Sequence, residues 1–121
     1  MSIQESGEMY LETILVLTNE KSGVHAVDIS EYMGFSKPSV SRALGLLKKE
    51  ELIVVDDEGH ITLTEEGRHL AETIYARHQV LTDLLTGFGV DKEIASADAC
   101  RMEHAISDET FLAIRRYLET R

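Results

Sequence analysis

The sequence predicts a mainly α fold with a small β-hairpin wing: a winged helix-turn-helix followed by a helical dimerisation domain. Three observations carry the prediction. Two short amphipathic segments flank the glycine of YMGFSKPSV, two β-rich runs flank the polar loop DDEGH, and apolar residues recur at helical spacing from LTEEG onward.

The elements follow in chain order. Met9, Tyr10, Leu11, Ile14 and Leu17 recur three and four residues apart, which predicts a helix over residues 8–19, ended by the polar stretch NEKSG. Val27, Ile29, Tyr32 and Met33 predict a short second helix, and Gly34 a tight turn. Ser36 is the expected N-cap of a third helix, with Lys37 and Pro38 in its first turn, where the missing proline N–H would have no helical partner anyway. Val40, Ala43, Leu44 and Leu47 are expected to hold this helix on the core. Residues 52–55 and 61–63 are predicted strands joined by the loop at 56–60. Thr64 is placed to cap a long helix carrying Leu70, Ile74, Leu81, Leu84 and Leu85, closed by Gly87 and Gly89. A further helix is predicted from about Asp91 to Ile106, and a last one after Ser107, its expected cap.

Composition narrows the function classes. With 43% hydrophobic residues in 121, one domain, or a small domain with an oligomerisation element, can bury a core. No apolar run approaches the roughly 18 residues of a membrane span, and MSIQESGEMY lacks the basic-then-apolar order of a signal peptide. A single cysteine forms no internal disulfide, so a soluble cytoplasmic protein with no membrane partner is expected. The net charge of −10 opposes general nucleic-acid affinity, but its distribution does not. Residues 21–50 carry +2, which leaves −12 on the rest: one locally basic segment lies in an acidic chain.

That segment is the expected DNA-reading element. Ser36, Lys37, Pro38, Ser39, Ser41 and Arg42 lie on or near the exposed start of the third helix, with Lys48 further along it. Small hydroxyl residues approach base edges while long cations grip phosphates. A helical pair with an ordinary solvated face is the bland alternative, and the following wing weighs against it. Asp56, Asp57 and Glu58 at the wing tip would repel phosphate. His25, His60 and His69 are expected as surface residues.

CRMEHAIS raises the question of a metal. Cys100, Glu103 and His104 would share one helix face, which suits convergent ligands and equally suits a buried cysteine beside two surface polar residues. Three residues are too few for a closed site.

Taken together, EMYLETI, SKPSVSRALGLLKKEELI, LTEEGRHLAETIYARH and ACRMEHAISDE make the whole chain resemble the DtxR/MntR family of metal-dependent transcriptional repressors, in a short form without the C-terminal SH3-like domain. The resemblance implies metal ligands at Met9, Glu12, His78, Cys100, Glu103 and His104. It also implies a DNA-binding domain over 1–72 and a metal-binding and dimerisation domain over 73–121. Chemistry agrees: thioether, thiolate, imidazole and carboxylate donors together favour a first-row transition metal over calcium or magnesium. Met9 read alone is ordinary core filler, and His78 read alone a core-edge histidine.

The pattern is a hybrid of branches. Met9 and Cys100 resemble the iron-responsive one and tilt the expectation to Fe(II), whereas Glu12 resembles the manganese-responsive one and keeps Mn(II) and two ions per subunit in play. Co(II), Ni(II) or Zn(II) would substitute in vitro. The ancillary site of the iron branch needs a carboxylate where this chain has Thr82 and a histidine where it has Ser96, so that site is expected to be absent, freeing His78 for the site near Cys100. The implied function is repression of metal-uptake genes by a metal-loaded homodimer on a palindromic double-stranded DNA operator, with no small-molecule substrate and no enzymatic activity. Phe111, Leu112, Ile114, Tyr117 and Leu118 are the expected dimerisation residues. A thiol-based redox regulator using Cys100 is the alternative, and a small metalloenzyme a third reading.

Overall fold

The computed structural model describes residues 5–120, with side chains from residue 7 onward. The described residues form α1 (Glu5–Glu20), α2 (Ala26–Met33), α3 (Lys37–Lys49), β1 (Ile53–Val55), β2 (Ile61–Leu63), α4 (Glu65–Gly87), α5 (Lys92–Met102) and α6 (Asp108–Thr120). This is the expected winged helix-turn-helix with a helical C-terminal part. The chain divides into two compact units, Met1–Glu72 and Thr73–Arg121, with α4 running through the division.

The N-terminal unit is built on α1, whose Tyr10, Leu11, Ile14, Leu15 and Leu17 are buried. They pack with Ile29 of α2, with Val40, Leu44 and Leu47 of α3, and with Ile53, Ile61 and Leu63 of the hairpin. Fully buried side chains such as Leu11 and Ile14 each contribute about 1.5–3 kcal/mol of transfer free energy. The α3 core residues are the ones its apolar spacing predicts, so the opposite face is left to solvent.

Local chemistry sets the turn between α2 and α3. Gly34 adopts the left-handed conformation (φ 72°) and donates its N–H to the Ser30 carbonyl at 2.9 Å. The Ser30 hydroxyl then donates to the Phe35 carbonyl at 2.6 Å, and Ser36 caps α3 by accepting from the Ser39 N–H. At the start of α2, Asp28 accepts from the His25 N–H at 2.8 Å and from the Lys21 ammonium at 2.9 Å. The Lys21 hydrogen bond, followed by the His25 N–H, holds the Asp28 carboxyl below its ordinary value. A depressed carboxyl stabilises the fold above its unfolded-state pKa, and that contribution fades as pH falls through the folded-state value.

The hairpin is antiparallel, with Ile53 opposite Leu63, Val54 opposite Thr62 and Val55 opposite Ile61. Ile53, Ile61 and Leu63 face the core while Val54 and Thr62 face solvent, the period of two that a half-buried strand requires. The Ile61 N–H also bonds the Val24 carbonyl at 2.8 Å, so the loop before α2 lends the wing part of a third strand. At the wing tip Asp56 accepts from the N–H groups of Glu58 and His60, both at 2.9 Å, which gives this acidic residue a turn-forming role.

One close approach has no signal in the sequence. A Cβ at Gly67, in the first turns of α4, would lie 1.9 Å from the Leu52 carbonyl oxygen. Thr64 completes the junction by donating to the Glu51 carbonyl at 2.8 Å and accepting from the Gly67 N–H at 3.0 Å.

In the C-terminal unit Ile74, Leu81, Ala95, Ala99 and Phe111 are buried. Two expectations need correction. Phe111, expected on the dimerisation surface, is 7% exposed and lies under the guanidinium of Arg77, 5.0 Å from the ring centroid. Leu112 and Tyr117 do remain exposed. The helix expected to continue to Ile106 ends at Met102, where the Ala105 N–H bonds the carbonyl three residues back, that of Met102, at 3.0 Å in place of the four-residue helical spacing. Ser107 caps α6 as expected, accepting from the Thr110 N–H at 3.1 Å.

The Gly67 approach is directly testable. Gly67→Ala is expected to lower stability by about 2–3 kcal/mol, since backbone must shift to admit one methyl group, and to lower the melting temperature by on the order of 10 °C. Thermal denaturation followed by circular dichroism measures this, and an unchanged melting temperature would refute the close approach.

Candidate metal centre and nucleic-acid interface

The C-terminal unit gathers four of the six expected metal ligands. His78 projects from α4, Cys100 from the last turn of α5, and Glu103 and His104 from the turn that ends it. Ligand atoms of Cys100, Glu103 and His104 all lie within 4.8 Å of one another. Glu103 is the centre of the group: its Oε2 is 3.3 Å from Nδ1 of His78, and its Oε1 is 3.1 Å from Nε2 of His104.

Burial makes this arrangement costly without a cation. The side chains of Glu103 and His104 are 0% and 1% exposed. Among the described residues, neither Glu103 oxygen accepts a hydrogen bond of ordinary geometry, despite the two nearby rings. An ionised carboxylate held from water without such donors costs several kcal/mol. A divalent ion meets that demand, since thiolate, carboxylate and two imidazoles offer the mixed sulfur, oxygen and nitrogen donors of a transition-metal site. The residues therefore fit a metal.

The turn carrying Glu103 and His104 is held from outside. Arg77, the neighbour of His78 on α4, donates to the Asp108 carboxylate at 2.9 Å and to the Ile106 carbonyl at 3.1 Å. Its guanidinium also covers Phe111, so one side chain ties the turn and the start of α6 to α4. Ser96 lies with its hydroxyl 3.2 Å from Nε2 of His78. Sequence reasoning gives Arg77 no role; its position beside His78 was the available signal.

Met9 and Glu12 belong to the N-terminal unit, half-buried and nearly one turn apart on α1. The residues expected to read DNA also belong to that unit. Ser36, Lys37, Pro38, Ser41, Arg42 and Lys48 are exposed, and Ser39 is half-buried. Two hydroxyls are partly committed, because Ser36 caps the helix and donates to the Ser39 hydroxyl at 2.9 Å. Lys37, Ser41, Arg42 and Lys48 present polar or cationic groups directly to solvent. No helix among the described residues is long and apolar enough to cross a membrane.

Comparison with known proteins agrees in both units. Residues 2–61 match the model of the iron-dependent repressor N-terminal DNA-binding domain, and residues 64–121 that of the iron-dependent repressor metal-binding and dimerisation domain. The transcriptional regulator MntR of Escherichia coli O6:H1 is 36% identical over 110 residues, covering 91% of this chain and 71% of that protein. The chain belongs to the DtxR/MntR family of metal-dependent transcriptional repressors. The diphtheria toxin repressor of Corynebacterium diphtheriae is 34% identical over 106 residues, 87% of this chain and 47% of its own length. Among solved structures, a manganese-dependent transcriptional repressor in complex with manganese superposes with a TM-score of 0.85 at 27% identity, covering 93% of this chain and 52% of that one. The chain thus spans about half the length of some family members and most of the length of others.

Glu103 gives this centre a distinctive double signature. Glu103→Gln is expected to leave the metal-free protein within about 1 kcal/mol of wild type, because it removes a buried charge while keeping the shape. The same change is expected to abolish the stabilisation by metal, which for wild type at a hundred times the dissociation constant amounts to about 2.7 kcal/mol. Paired melting curves with and without Mn(II) test both halves. Large destabilisation of the metal-free variant, or an undiminished metal effect, would contradict the assignment.

Proposed function

We propose that this chain is a metal-dependent transcriptional repressor whose metal centre comprises Met9, Glu12, His78, Cys100, Glu103 and His104. The observation that carries the reading is the buried Glu103 carboxylate, set between two imidazoles beside a thiol. It lies in the same chain as an exposed cationic recognition helix.

Glu103 and His104 provide a buried carboxylate and imidazole, His78 a second imidazole from α4, and Cys100 the thiolate. Met9 and Glu12 would add a thioether and a carboxylate from α1. The ion supplies positive charge and directional bonds. Fe(II) or Mn(II) is the proposed physiological ion, with one or two per subunit; sulfur at Met9 and Cys100 favours iron, and Glu12 supports manganese. Co(II), Ni(II) and Zn(II) would serve as substitutes in vitro.

On the DNA side, Lys37, Arg42 and Lys48 would neutralise phosphates while Ser39 and Ser41 approach base edges, with Ser36 and Pro38 setting the start of the helix. A homodimer places two such helices on a palindromic operator, and exposed Leu112 and Tyr117 of α6 are the proposed contacts. Positive charge at the centre also offsets part of the −12 outside residues 21–50, lowering repulsion from DNA.

Anaerobic titration of Fe(II) or Mn(II) into the protein, with fluorescence anisotropy on operator DNA selected from random sequence, tests the proposal. Operator affinity is expected to rise at least ten-fold on metal addition and to return to the metal-free level with chelator. Affinity independent of metal would overturn it.

A further inference from the structure

Ser96 stands on α5, half-buried, one turn before Cys100. Its Oγ lies 3.2 Å from Nε2 of His78, while the ring's other nitrogen, Nδ1, lies 3.3 Å from Oε2 of Glu103. The two nitrogens therefore face different partners: a hydroxyl on one edge, the buried carboxylate of the metal centre on the other.

That division matters because an imidazole has one proton to place. A histidine that gives a metal its Nδ1 lone pair must carry its proton on Nε2. With a side chain only 17% exposed, His78 needs an acceptor for that N–H. A serine hydroxyl rotates freely and accepts as readily as it donates. The hydroxyl of Thr82, one turn on along α4, donates to the His78 carbonyl at 2.8 Å, whereas Ser96 meets the ring itself.

We propose that Ser96 is a positioning residue of the metal centre: it accepts the Nε2–H of His78 and so fixes the tautomer and ring plane that present Nδ1 as a ligand beside Glu103. The proposal rests on the metal-binding reading of this site. It makes a hydroxyl, outside the expected ligand set, a determinant of metal affinity. Partners that orient ligating histidines typically change metal affinity 10–100-fold when removed.

Two measurements on the full chain test it. Mn(II) binding is followed by electron paramagnetic resonance in wild type, Ser96→Ala and Ser96→Thr, and imidazole 1H–15N correlation spectra are recorded on the Zn(II)-loaded protein. Ser96→Ala is expected to weaken Mn(II) binding by about 10–100-fold, while Ser96→Thr, which keeps the hydroxyl, stays within about three-fold of wild type. The wild-type spectrum is expected to show His78 protonated on Nε2, with that proton protected from exchange by Ser96 and unprotected in Ser96→Ala. Protonation on Nδ1 in the loaded wild type overturns the proposal without any variant having to fold. Unchanged affinity in Ser96→Ala, or equal weakening in Ser96→Thr, overturns it while leaving metal binding intact. A wild type that binds neither ion overturns the metal reading and this proposal together.

Discussion

A carboxylate buried between two imidazoles is the constraint on which the C-terminal unit turns. Glu103 has no exposed side-chain surface, and its two oxygens approach Nδ1 of His78 and Nε2 of His104 without ordinary hydrogen-bond geometry. The Arg77 guanidinium is committed elsewhere, to Asp108 and the Ile106 carbonyl. A unit optimised only for stability would place apolar side chains there, because well-packed apolar replacements of buried ionic groups are often neutral or stabilising. Retaining the carboxylate makes physical sense when a cation completes the group. Stability is then linked to metal concentration, which is the property a metal sensor needs.

The surroundings serve that group at different ranges. Arg77 anchors the turn after α5 through the Ile106 carbonyl and the start of α6 through Asp108, and lies over Phe111, tying the segment that carries Glu103 and His104 to the helix that carries His78. Ser96 meets His78 from the opposite edge of its ring. In the N-terminal unit a different economy operates: the core faces of α1, α2 and α3 absorb the apolar residues, and the cationic residues of α3 are left in solvent. At the acidic wing tip, Asp56 has a turn-forming role through the backbone N–H groups it accepts.

Much of the fold was legible because it depends on local periodicity and on caps. The apolar spacing of α3, the left-handed Gly34, and the caps Ser36, Thr64 and Ser107 each act within a few residues, so the sequence displays them. The end of α5 was not legible, since no glycine or proline marks Met102 and the chain turns through bonds back to its carbonyl. Gly67 was invisible because its need for a bare Cα comes from Leu52, remote in sequence. Phe111 has the helical spacing of a surface contact, and only tertiary packing under Arg77 shows it to be interior. For the metal centre, C-x-x-E-H shows three donors at a glance. Their approach to His78, and the hydroxyl of Ser96 behind that ring, depend on how α4 and α5 pack. Family resemblance supplied His78 as a candidate; spacing alone could not.

Sulfur, imidazole and carboxylate donors from this chain are proposed to meet on one ion. X-ray absorption spectroscopy of the Zn(II)-loaded protein tests this most directly. The ligand set predicts a sulfur shell at about 2.3 Å together with nitrogen and oxygen at about 2.0–2.2 Å, and multiple scattering from imidazole rings. A shell of light scatterers with neither sulfur nor imidazole features would contradict the account, because an ion would then bind elsewhere than at Cys100, Glu103 and His104.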